Sequence, residues 1–149
     1  MKKKYNLVRI LTIYFILFGS AFATSTGYFD KGKEFFEKDN FKKSKILFEK
    51  DIVFNPKSER SYLYLAKIFN KGEKDDQEEV NLNNVLLLNP KNDEAIYMLT
   101  LIKIEQSDYS EARDLINKFT LLCKSFCSKK KEIESKFKKL NPEDAKNNN

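Results

Sequence analysis

Histidine and tryptophan are absent from this 149-residue chain, and glycine, proline and cysteine number only four, three and two. Each gap removes a class of chemistry. Without histidine there is no ordinary general base near neutral pH, no commonest metal ligand, and no nucleophile–histidine pair. The glycines stand at 19, 27, 32 and 72, too scattered for a loop that cradles phosphate. Two cysteines without histidine cannot complete a structural zinc site. Acidic pairs such as Asp75–Asp76 and Glu78–Glu79 fall where a helix is expected to begin, and acids there answer the helix dipole with no catalytic role. These gaps argue against an enzyme, and no cofactor, metal or small-molecule substrate is expected. No stretch alternates with period two, so no sheet is expected either.

The charge is uneven. Lys2, Lys3, Lys4 and Arg9 stand before or within an apolar run, Ile10 to Phe18, broken only by Thr12, and "AFA" follows at Ala21 to Ala23. A basic start, an apolar centre and a small-x-small end are the layout of a secretory signal peptide, here residues 1–23, with cleavage expected after Ala23. The alternative is an uncleaved inner-membrane anchor, although the run is short of the roughly 20 residues needed to span a bilayer. Thr24 follows the site, so no lipid-modified cysteine is indicated. The expected location is periplasmic or secreted. Of 28 basic groups, four leave with residues 1–23, so 24 face 22 acids in the remainder. Those signs interleave, as in "KGKEFFEKDNFKKSK", which gives no sustained field for phosphates and no nucleic-acid partner.

"FNPK" at 54–57 and "LNPK" at 88–91 set Pro56 and Pro90 34 residues apart. Other columns keep the same step. Tyr28 meets Tyr62 and Ile96; Gly32 meets Ala66 and Thr100; Ser44 meets Glu78 and Ala112; Phe48 meets Leu82 and Ile116. Three copies result, about 25–58, 59–92 and 93–126, within a repeat region of 24–126. Apolar residues within each copy recur at three- and four-residue steps, as Tyr62, Leu65, Ala66 and Phe69 do, which predicts helices over 27–37, 41–54, 58–70, 75–88, 92–105 and 109–122. Asp75 with Glu78, and Asp108 with Glu111, have the spacing of a capped helix start. Ile133, Phe137 and Leu140 predict one further capping helix within 127–140, from about residue 128. Residues 141–149 read as a disordered tail.

These columns resemble the tetratricopeptide repeat, a 34-residue helical hairpin with the pattern Trp-x2-Leu-Gly-x2-Tyr, Ala-x3-Phe and Pro. The first copy supplies Tyr28, Lys31, Gly32, Phe35, Ser44, Phe48 and Pro56. Glu78 breaks the small-residue column in the second copy, and Lys124 replaces the proline in the third. The resemblance implies an all-α fold, a right-handed α-solenoid of three hairpins closed by a capping helix. It also implies a non-enzymatic protein-interaction scaffold that holds a peptide segment of a partner in a concave groove lined by the first helix of each hairpin. Groove candidates are the column Phe29, Leu63, Tyr97 and the neighbouring Lys33, Lys67, Leu101 and Tyr64. Some relatives clamp a carboxylate with lysine and asparagine; the matching places here are Phe29, Lys33, Tyr64, Glu94 and Met98, so that specificity does not carry over. The competing role is an architectural subunit of an envelope complex. Exposed apolar residues on the groove helices would favour the first; exposed apolar residues on the convex face or cap would favour the second. Lysines of the cap allow peripheral contact with an anionic membrane. Cys123 and Cys127 lie four apart; in an exported chain such a pair favours a disulfide, with two free buried thiols the alternative.

Overall fold

The computed structural model describes residues 27–141, so the expected signal segment and residues 142–149 of the tail lie outside the described residues. Seven α-helices occur there: α1 Tyr28–Glu37, α2 Phe41–Phe54, α3 Glu59–Lys71, α4 Asp75–Leu88, α5 Asp93–Glu105, α6 Tyr109–Leu122 and α7 Lys130–Leu140. Among the described residues there is no strand. The six hairpin helices start and stop within one residue of the sequence expectation. The last helix starts later than expected because a short 3-10 turn, Cys127–Lys129, precedes it. Asn141, assigned to the tail from sequence, is instead buried.

Helices pair in order, α1 with α2, α3 with α4 and α5 with α6, and each hairpin packs on the next. First helices also meet one another, α1 on α3, and α7 takes the place of a fourth first helix by packing on both α5 and α6. The turns inside the hairpins share one geometry. Asp39, Glu73 and Ser107, each 34 residues from the next, adopt the left-handed backbone with φ of 54°, 52° and 61°. The residue after each donates its N–H to the carbonyl five residues back, Asn40 to Phe35, Lys74 to Phe69 and Asp108 to Lys103, which satisfies a carbonyl left open at the helix end. Asn40, Asn92 and Asp108 then cap the following helices through their side chains. The expected Asp75–Glu78 cap does not form. The capping position of α4 belongs to Lys74, Asp75 is already helical, and Glu78 turns inward.

Gly32 explains the small-residue column. A Cβ there would lie 2.8 Å from Cε1 of Phe48, and Ser44 Oγ donates to the Gly32 carbonyl at 2.8 Å. The two helices therefore cross backbone to ring, with no room for a side chain. Gly32→Leu is expected to destabilise the protein by about 1–3 kcal/mol through overpacking, read by chemical denaturation, while the exposed Lys42→Ala changes little. Equal midpoints for the two variants would contradict this crossing.

Beyond α6 the chain is held by a compact clasp. Cys123 and Cys127 are bonded, with Cα atoms 5.2 Å apart. Inside that loop the backbone N–H groups of Lys124, Ser125 and Phe126 all donate to Oδ2 of Asp93, at 2.7, 2.6 and 2.9 Å. Partial burial of Asp93 works against its charge, yet these three donors hold its carboxyl below the usual range. The purified protein is expected to show no reactive thiol until reduced. Because the closed loop is short, reduction should lower stability only slightly. Full labelling of unreduced, denatured protein would rule the bond out.

Candidate functional site

A cleft of about 340 Å³ opens on the side of the first helices. Phe36 of α1, Lys67, Asn70 and Lys71 of α3, and Tyr97, Met98, Leu101 and Glu105 of α5 line it, and the first turn of α4 adds Asp75 and Glu78. Stacked hairpins bring these residues together because each first helix repeats the same orientation every 34 residues. Lys67, Tyr97 and Leu101, three of the sequence candidates, do border one cavity.

The exposed apolar column expected on this side is not there. Phe29 is only 8% exposed; it packs on Phe48 and Tyr64, with ring centres 5.7 and 5.6 Å away, and Arg60 lies over it. Tyr97 is 9% exposed. Phe126 and Lys129 cover its ring, and its hydroxyl donates to Glu132 of α7 at 2.6 Å. Burial and the Glu132 carboxylate push the Tyr97 hydroxyl up to about 12. Leu63 and Tyr64 are half-buried, Tyr64 among Phe29, Phe36 and Phe48. Phe29 and Tyr97 therefore serve the joints between first helices and the cap, a role that spacing alone did not reveal. Lys33 is exposed and pairs loosely with Glu37 at 3.5 Å. Lys67 pairs with Glu94 at 2.8 Å, so the two charges are neutralised within the chain.

Sequence reasoning missed Glu78 as a cleft residue. It occupies the small-residue column, is 1% exposed, and accepts one hydrogen bond, from Asn70 at 3.1 Å. Burial raises its carboxyl to about 7; Asp75 and Glu105 push in the same direction, and the Asn70 bond opposes them. The signal was present: an acid where Ser44 and Ala112 are small must either distort the crossing or find a polar neighbour, and Asn70 stands eight residues before it. Exposed apolar residues lie instead on the second helices and on the cap, where Leu140 of the expected apolar stripe is itself exposed. Ile46, Val53 and Phe54 are on α2, Val80, Leu87 and Leu88 on α4, Leu121 on α6 and Leu140 on α7.

Among the described residues no group of acids and cysteines is arranged to hold a metal, and no helix is long and apolar enough to cross a membrane. No protein-family model and no curated protein sequence matches the chain. Solved structures do match its shape. The first TPR of Spaghetti (RPAP3), solved bound to the HSP90 peptide SRMEEVD, aligns with a TM-score of 0.67 at 15% identity, over 76% of this chain and 90% of that one. The Sgt2 TPR domain from Aspergillus fumigatus aligns with a TM-score of 0.61 at 12% identity, over 81% and 79%. The fold of this chain is the tetratricopeptide-repeat α-solenoid.

Proposed function

We propose that the chain is a non-enzymatic scaffold of the bacterial cell envelope that holds a peptide segment of a partner protein in the cleft between its first helices. The observation that carries this reading is the cleft itself. Half-buried apolar side chains, Met98 and Leu101, lie beside the polar Asn70 and Lys71 within one concave opening. Such a surface seats apolar anchors and fixes their direction through a few polar contacts. The likeness to a domain solved with a bound peptide supports a peptide partner. Export is supported by the layout of residues 1–23, and N-terminal sequencing of native protein is expected to begin at Thr24. Retained Met1 in a membrane fraction would replace that view with the anchored form.

One observation favours a second reading, the architectural one. The large apolar residues that remain exposed are on the second helices and cap, away from the first helices. Capture of a partner from envelope extract distinguishes the two. Lys71→Glu with Leu101→Ser should abolish capture, while Leu87→Ser with Leu121→Ser should leave it intact. The reverse pattern would transfer partner binding to the outer face.

A further inference from the structure

Val53, Leu87 and Leu121 stand 34 residues apart, each the penultimate residue of a second helix, and are 73%, 80% and 82% exposed. Helical geometry puts them there: Leu121 lies about 200° around from the buried Phe119, at about 100° per residue. Ile46 and Val80, two turns earlier on α2 and α4, prolong the strip and are also exposed; at the matching place on α6 stands Asp114.

Lysines gather around the three tips, while the exposed Asp114 lies two turns further back on α6. Lys50 and Lys118 sit one turn before Val53 and Leu121, and Lys57, Lys91 and Lys124 stand two or three residues beyond the helix ends. Among the described residues none of these five forms an ion pair; Lys50 lies 6.0 Å over the Tyr28 ring. Three acids near the helix ends are occupied within the fold. Asp51 is buried and receives Ser61, Glu59 receives the amides of Asn89 and Asn92, and Asp93 receives the three N–H groups of the clasp. Protruding apolar tips set among unpaired lysines are what an interfacial membrane contact needs: the tips enter the acyl boundary while the ammonium groups meet anionic headgroups. A second copy of the chain would set lysine against lysine.

We infer that this outer edge, Val53, Leu87 and Leu121 with their flanking lysines, docks on an anionic phospholipid surface. That contact leaves the cleft of the first helices turned to the aqueous phase. The absence of tryptophan supplies the test. Leu121→Trp in the full chain gives a single reporter on the edge, and Lys33→Trp gives one on the cleft side. With equimolar phosphatidylcholine–phosphatidylglycerol vesicles, emission at position 121 should shift to the blue and be quenched by brominated lipid. Pure phosphatidylcholine should have little effect, and position 33 should stay in water with both. Insertion of residues 1–23 alone would leave both reporters unshifted, so it cannot mimic the result. No shift at 121, or equal shifts at both positions, would overturn the proposal. So would a reporter that ignores vesicles and responds only to an acidic amphipathic peptide, which would assign the edge to a protein partner.

Discussion

Phe48→Ala is expected to lower stability by about 3–5 kcal/mol, a cost typical of truncating a fully buried phenylalanine. Phe48 is completely buried, and it ties together pieces that belong to different hairpins. Its ring lies against Gly32 of α1, 5.7 Å from the Phe29 ring and 5.1 Å from that of Tyr64 on α3. Truncation leaves a cavity that Gly32 cannot fill, because it has no side chain to move. It also removes the surface on which Phe29 and Tyr64 rest, so the first hairpin loses its grip on the second. Urea denaturation should show a lower midpoint, with the first hairpin losing amide protection ahead of α5 and α6. A loss below about 1 kcal/mol would mean that the ring does not sit at this joint.

Glu78→Gln is expected to stabilise the protein at alkaline pH and to flatten its pH dependence. The folded environment raises the Glu78 carboxyl from 4.5 to about 7, so the fold prefers its neutral form. Stability linked to this group is fully present below about pH 4.5 and is lost as pH rises through about 7. The loss in wild-type protein should reach about 3 kcal/mol at the alkaline end. Glutamine keeps the shape and can still accept from the Asn70 amide, yet it carries no charge to bury. Melting temperatures of the two proteins should converge below about pH 4.5, diverge between about pH 4.5 and 7, and keep a constant gap above that, with the variant higher. Parallel curves would contradict burial of this carboxyl.

Much of the fold was legible because the repeat forces the same packing problem to be solved three times. Gly32, Ala66 and Thr100 answer a close helix crossing, and Phe48, Leu82 and Ile116 fill the space that each crossing leaves. Other features were opaque for physical reasons. Asp39, Glu73 and Ser107 share a left-handed backbone, yet none is glycine, so residue type did not announce the turn. Phe29 and Tyr97 fit an outward column by spacing. Whether such a column is free depends on the tilt between adjacent first helices and on where α7 lands, and no single hairpin encodes either. Glu78 was read as part of a cap because acid-x-x-Glu describes both a helix start and a coincidence. Its contact with Asn70 settles the matter. Val53, Leu87 and Leu121 stand in plain register, but the repeat pattern marks only the residues that pack the hairpins, so it carries no sign of an apolar column left outside them.

Use of the cleft by a partner protein is tested most directly by photocrosslinking in cells. A photoreactive side chain is placed at position 98, inside the cleft, and separately at position 87 on the outer edge. A discrete protein adduct is expected from position 98, and it should fade when Leu101→Ser is added. Silence at 98 with a protein adduct from 87 would contradict a partner held between the first helices.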